Sequence, residues 1–333
     1  MPPDPGDAAS AGARQPGARD NGVTSTPFAP GSVSIRLYPH NELDAEEVVR
    51  ELCAQASLAL GSGFDGVMVS EHHGGFAGYL AQPLQMTAFI LEENATGWVA
   101  AAPLLLPLRP TALVAEEVAW LSARHRARVG IGVAAGALAL DYAAAGIDPD
   151  EAVTRFKSEL PRLVAMLRGE ELGELAGDRA LAACHRYPVP VLSAAMSPAA
   201  ARRAARSGAG VLLEGMSDTR QLARLTEAYD EAGGTGAKVL IRRVWLGPLR
   251  AELVERQRAV YDAITPDATT FGDDATVAAL DPAEIAQRLS AVVGAAGADS
   301  LNLRVHLPGV APGEARAQIA ALGASVVGAL RER

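Results

Sequence analysis

The sequence predicts an α/β fold, a (β/α)8 TIM barrel, and three observations carry that prediction. From Val33 onward short apolar runs alternate with longer amphipathic ones, the pattern of βα units around a parallel sheet covered on both faces. Eight of the short runs read as strands: VSIRLYP, FDGVMVS, WVAAAPLLL, ARVGIGV, VPVLSA, GVLLE, KVLIRRVWL and SLNLRV. The composition is 49% hydrophobic but only 5% aromatic, rich in Ala and Gly, which suits close helix-on-sheet packing and argues against an all-β or fibrous class. An open doubly wound sheet of the same length gives nearly the same one-dimensional pattern, but no GxGxxG follows the first strand.

The first 32 residues are rich in Pro, Gly, Ala and Asp and hold almost nothing to bury, so 1–32 is predicted as a disordered tail and 33–333 as one barrel domain. Length alone permits this, since a chain of 333 residues can bury one large core. Helical stretches separate the strands: DAEEVVRELCAQASLAL after the first, ALVAEEVAWLSARH before the fourth, EAVTRFKSELPRLVAMLRG after it. SPAAARRAARSG follows the fifth strand, TRQLARLTEAYDEAG the sixth, and PGEARAQIAALGASVVGALRER closes the chain. The segment LGPLRAELVERQRAVYDAITPDATTFGDDATVAALDP after the seventh strand is too long for a simple βα connection and is predicted as an insertion or lid over one barrel end.

A net charge of −9 with no basic block gives nothing to neutralise phosphodiester backbones or anionic headgroups, which argues against nucleic-acid and membrane partners. Cys53 and Cys184 lie far apart and form no CxxC, so they read as small buried apolar residues in a reducing compartment rather than a disulfide framework or a zinc site. No apolar run reaches membrane-spanning length and the N-terminus has no signal-peptide core, so a cytoplasmic protein is expected.

In a parallel barrel the working residues sit where strands end. GFDGVMVSEHH ends an apolar strand in Glu71, His72 and His73. His72 is the candidate acid/base group, because an imidazole titrates near neutrality; polar residues also merely terminate strands. Adjacent residues on an extended segment point to opposite faces, so His72 and His73 do not share a metal ion, and no metal is expected. In LSAAMSPAAARRAARSGAG, Ser197 takes the N-cap position and Pro198 the first helical turn; the free amides there, with the helix dipole, suit a phosphate, although many Ser-Pro helix starts bind nothing. Pro103, inside WVAAAPLLLPLRP, marks a bulge at the strand's functional end, with Ala102-Pro103 either trans or cis. His40, Glu214, Met216, Arg242, Arg243, Trp245, Arg304 and His306 stand at other strand ends. Met216 and Trp245, with His40 and His306, are candidates for a substrate pocket, and core packing explains the first two as well.

These blocks resemble the bacterial-luciferase-like family of flavin-dependent monooxygenases from about Ser34 to the C-terminus. GFDGVMVSEHH is similar to its second-strand block, LPLRPTALVAEEVAWLSARHRARVGIGVAAG to its third-strand, third-helix and fourth-strand block, and VPVLSAAMSPAAARRAARSGAG to its fifth-strand block; GADSLNLRVHLPG resembles its last strand. The resemblance implies reduced FMN, or in sister groups a deazaflavin, at the C-terminal face of the barrel. It makes His72 similar to the histidine that assists oxygen activation, flanked by Glu71 and His73. The cofactor would lie against Ala102, Pro103, Ala134, Ala135, Gly136, Ala195, Met196, Ser197 and Ala199, with Ala102-Pro103 on a bulge that is often cis in the family and Ser197 on a phosphate-binding serine. It also implies a separate flavin reductase as partner and a homodimer formed through helices beside the second and third strands.

Two departures stand out. Ala135 occupies the position of a phosphate-gripping arginine, and Met196 replaces the acidic residue before the phosphate serine. Losing one cation with its charge-assisted bonds weakens phosphate binding by about 1.5–3 kcal/mol unless another group substitutes. The function that the resemblance implies is a flavin-dependent monooxygenase that uses O2 on a small to medium apolar organic substrate. The alternatives are a deazaflavin-dependent hydride-transfer enzyme on the same barrel and a non-catalytic partner subunit.

Overall fold

The computed structural model describes residues 26–74, 76, 78–262, 272 and 275–332. Its strands are β1 (Val33–Arg36), β2 (Gly66–Val69), β3 (Trp98–Leu105), β4 (Val129–Ala134), β5 (Val191–Ala195), β6 (Gly210–Leu213), β7 (Lys238–Leu246), β8 (Thr276–Ala279) and β9 (Ser300–Arg304). The helices are α1 (Ala45–Ser62), α2 (Pro83–Glu93), α3 (Thr111–Arg124), α4 (Ala139–Ala145), α5 (Ala152–Met166), α6 (Arg179–Ala183), α7 (Pro198–Arg206), α8 (Thr219–Glu231), α9 (Ala251–Asp262), α10 (Pro282–Ala296), α11 (Pro312–Ala321) and α12 (Gly328–Arg331).

Pairing decides between the two architectures that the one-dimensional pattern allowed. Strands β1 to β6 pair in sequence order, β6 pairs with β7, β7 with β9, and β9 returns to β1, all parallel. The ring closes on eight strands, so the fold is a TIM barrel. The eight predicted strands are β1 to β7 and β9. The additional strand, β8, lies in the predicted insertion and pairs with the Arg243–Leu246 end of β7.

Alternation along the strands sorts side chains into two layers. Val67, Val69, Val99, Ile131, Val211 and Leu303 join the large core shared with the helices, whereas Met68, Trp98, Ala100, Ala102, Leu192, Leu212 and Val239 form a separate cluster inside the ring. Phe28 belongs to that inner cluster, buried with its ring edge-on to Trp98 at 5.1 Å. This corrects the predicted tail boundary: the chain is already built into the barrel by Phe28, because an aromatic ring is needed to fill the ring's N-terminal mouth. A Cβ on Gly130 would lie 2.7 Å from the Phe28 ring, so the glycine makes that room. The rest of the predicted tail, residues 1–25, lies outside the described residues.

Local chemistry sets the helix ends that matter for the site. Asp44 and Glu47 form a capping box at α1, with the Glu47 amide donating to Asp44 at 2.8 Å and the Asp44 amide to Glu47 at 3.1 Å; Gly63, at φ 119°, ends the helix in the left-handed region. At α7 Ser197 is the N-cap and Pro198 the first helical residue, as the sequence predicts. The insertion contributes α9, and Trp245 packs with Leu253, Leu307, Val310 and Ala315 in a satellite cluster at that end of the barrel.

Candidate active site

The strands' C-terminal ends surround a cavity of about 510 Å³, within the size range of small-molecule sites. Its wall is largely apolar, with Tyr38, Phe76, Tyr79, Leu105, Leu138, Phe156, Leu212, Met216 and Ile241, and Arg36, Glu71, His72, Ser197, Arg203, Glu214 and Arg304 bring polar atoms to it. A second hollow of about 400 Å³ sits among the strands' N-terminal ends, next to Phe28 and Arg168, with none of the residues predicted for chemistry.

The tripeptide that ends β2 divides its work as an extended segment must. Glu71 is fully buried, and its carboxylate accepts from Arg109, from His73 Nε2 at 2.9 Å and from the Leu105 amide at 2.5 Å. Its own amide donates to the Pro103 carbonyl at 3.0 Å. Both oxygens are therefore committed, and Glu71 ties β2 to the bulged end of β3. His73 turns away from the cavity toward Glu71.

His72 lines the cavity and is 21% exposed, and its Nδ1 lies 2.8 Å from Oδ2 of Asp141, which has no exposed surface. Asp141 also accepts the His73 amide at 2.7 Å through Oδ1. Facing a carboxylate, Nδ1 is the donor, which leaves Nε2 free to exchange a proton. The ring is clamped edge-to-face on Tyr79 at 4.4 Å and tilted against Phe76 at 5.0 Å.

Of the residues predicted to hold the cofactor, Pro103, Ala134, Ala135, Gly136, Ala195, Met196 and Ser197 line the cavity. Ala102 and Ala199 do not. Ala102 is buried inside the ring, where its carbonyl accepts from Arg36 at 2.6 Å, and the Ala102-Pro103 peptide is cis. Gly136 is at φ 83°, and a Cβ there would crowd Leu105 at 3.3 Å and the Tyr142 hydroxyl at 3.4 Å. That hydroxyl donates to the Ala135 carbonyl, and burial followed by the neighbouring Asp141 pushes Tyr142 up to about 12, so it remains a proton donor. Glu214 accepts from the Met216 amide at 2.5 Å and the Ser217 amide at 2.7 Å, shaping the loop after β6.

Among the predicted pocket residues, Met216 lines the cavity, while His40, Trp245 and His306 stand outside its lining. His40 is buried between Gln55, at 2.9 Å from Nε2, and the Val310 carbonyl, at 3.2 Å from Nδ1. Trp245 belongs to the satellite cluster. His306 stacks on the far side of Tyr38 at 5.2 Å. Strand-end position alone placed them near the site; Tyr38, which lines the cavity, lies against His306, and His306 in turn against His40 at 5.4 Å.

Sequence reasoning missed Asp141, Tyr38, Phe76, Tyr79, Arg36 and Arg203. For Asp141 a signal existed, since it is the one carboxylate between Arg128 and Asp148, set in the alanine-rich ALALDYAAAG. For Arg203 none did, because it is one of two adjacent arginines on a helix.

A closed parallel barrel whose C-terminal rim presents an aspartate-oriented imidazole beside a helix start has the layout of a TIM-barrel active site. The family model for luciferase-like monooxygenases matches residues 32–304, and the chain belongs to that family. An uncharacterized protein of Sinorhizobium fredii, y4wF, is 24% identical over 235 residues, covering 68% of each chain. Monooxygenase RslO1 from Streptomyces bottropensis shares the fold at a TM-score of 0.74 and 20% identity, over 89% of this chain and 99% of that one. The oxygenating constituent of 3,6-diketocamphane monooxygenase from Pseudomonas putida, in complex with FMN, has a TM-score of 0.67 at 16% identity over 90% and 98%. An F420-dependent secondary alcohol dehydrogenase, with an F420-acetone adduct, has 0.66 at 16% over 90% and 99%. Structural neighbours of this fold thus include both FMN-binding and F420-dependent proteins.

Proposed function

We propose that the protein is a flavin-dependent monooxygenase that binds reduced FMN in the 510 Å³ cavity and oxidises a small to medium apolar organic molecule with O2. The observation that carries this reading is the His72–Asp141 pair opening into that cavity. The residues fit a flavin phosphate: the start of α7 at Ser197 opens into the same hollow, and the buried Nε of Arg203 has no hydrogen-bond partner. Bound reduced flavin would supply the two electrons that activate O2. His72 exchanges a proton at Nε2 while Asp141 holds Nδ1, and the aromatic wall of Tyr38, Phe76 and Tyr79 excludes water from the reacting face.

A second reading keeps the same site. With a deazaflavin in place of FMN, His72 serves as the acid/base group of a hydride transfer that uses no O2; the likeness to the F420-dependent dehydrogenase favours it. A separate reductase supplies the reduced cofactor in the first reading. The protein is also proposed to be a homodimer through α2 and α3, which expose Phe89, Leu113 and Trp120.

The test is an absorbance titration with FMN and with F420, followed by O2 consumption with enzymatically reduced cofactor. FMN binding with substrate-dependent O2 uptake is expected; hydride transfer from reduced F420 without O2 uptake selects the second reading, and binding of neither cofactor refutes both. His72→Asn, whose amide still donates to Asp141, should lower turnover by about 10²–10⁴-fold, and Asp141→Asn, which leaves the imidazole in place but removes the charge that orients it, by a smaller factor, each with cofactor affinity retained. Turnover unchanged in His72→Asn removes the proposed role.

A further inference from the structure

The cavity contains a guanidinium that the reaction chemistry does not use. Arg203 projects from α7 into the same hollow as Ser197 and Ala200. Its Nε is buried without a hydrogen-bond partner, no acidic group pairs with it among the described residues, and its Cζ stands 5.7 Å from the centre of the Phe156 ring. The other arginines at the rim are engaged: Arg36 donates to Asn302 and to the Ala102 carbonyl, and Arg304 has a further interaction besides its contact with Tyr38 at 5.0 Å. The carboxylates that line the cavity, Glu71 and Glu214, both have their oxygens committed: Glu214 to the Met216 and Ser217 amides, Glu71 to Arg109, His73 and the Leu105 amide.

Helix geometry directs this arginine. Residues three apart share a face, as Ala200 and Arg203 do here, and long helical side chains lean back toward the helix N-terminus. The guanidinium therefore adds its full charge to the partial positive charge of the free amides at the start of α7. An arginine fork matches two oxygens of a phosphate, and ordering it there would satisfy an otherwise unpaired buried donor.

Resting on the flavin-binding reading above, we infer that Arg203 is the phosphate-gripping cation of this chain. It holds the phosphate of FMN, or the phosphodiester of a deazaflavin, against the Ser197 end of α7. It substitutes for the absent cation at Ala135, whose carbonyl instead takes the Tyr142 hydroxyl.

The test is an anaerobic titration followed by tryptophan fluorescence, with FMN, F420 and phosphate-free riboflavin, each oxidised and reduced, on the parent protein and on Arg203→Met and Arg203→Lys. Expected is a weakening of FMN binding in Arg203→Met by about 10- to 100-fold, the span that 1.4 kcal/mol per decade gives for a lost charge-assisted contact. Riboflavin binding should shift by less than about twofold, and Arg203→Lys should recover part of the loss. If F420 rather than FMN binds the parent protein, the same loss is expected for F420. Unchanged affinity for the phosphorylated cofactor in Arg203→Met, or an equal loss for riboflavin, overturns the assignment while leaving the proposed function standing. Failure of the parent protein to bind FMN or F420 overturns both.

Discussion

Three histidines near the rim have different surroundings. His72 has a carboxylate on Nδ1 and a solvent-facing cavity on the other side, whereas His40 is closed in by an amide and a carbonyl. His306 loses its hydration against Tyr38 and faces His40, Arg304 and Arg243, which together push it down to about 3. Its folded value lies below the unfolded value of about 6.5, so between those two values the unfolded chain binds more protons. Stability from this group is complete above about pH 6.5 and declines as pH falls from there toward 3. His125, also pushed down chiefly by burial, acts in the same direction. Urea midpoints at pH 7.5 and 5.0 should therefore fall on acidification, and His306→Gln should narrow that fall; an equal fall in the variant would show that His306 is not responsible. The position of His72 at a strand end was legible in the sequence. Its pairing was not, because Asp141 lies 69 residues away, between Leu140 and Tyr142, and nothing in that local stretch says which residue the carboxylate meets.

At the scale of elements, local capping chemistry was the easiest feature to read. Ser197 and Pro198 start α7 in the sequence and in the structure for the same reason, since an N-cap and a proline at the first turn act only on the nearest backbone groups. The strand β8 was not legible, as TVAA is short and its role depends on a neighbour. β7 is nine residues long and β6 four, so β7 outruns its partner, and β8 covers the backbone left open at Arg243–Leu246. Glu71 binds elements more than it serves chemistry: it joins the end of β2 to Leu105 of β3 and to Arg109 just beyond. Glu71→Gln turns a buried acceptor into a donor and strips Arg109 of its counter-charge, and should destabilise the fold by about 3–5 kcal/mol, read from urea unfolding. A loss below about 1 kcal/mol would show that this carboxylate is not the tie between the two strands.

For the whole molecule, closure of the ring brings residues from β2, β3, the β4–α4 loop and α7 to one rim. Surface apolar residues then become the next question of assembly. Phe89, Leu113 and Trp120 are exposed on adjacent helices, with Trp120 at 56% even while its indole donates to Asp178. Sedimentation should give a dimer for the parent protein and a monomer for Trp120→Glu with its barrel intact by circular dichroism; a monomeric parent protein would remove the dimer proposal.

The sequence by itself determined the class of fold, eight of the strands, the capped start of α7 and the strand end that carries His72, because each depends on periodicity or on groups a few residues apart. Only the tertiary structure decided that the sheet closes, that Asp141 meets His72, and that Arg203 faces the cavity. It also decided that His40, Trp245 and His306 stand outside the cavity lining. The reason is that a barrel sets side chains from distant segments at one rim, and their distances follow from strand register, which no local stretch of residues specifies.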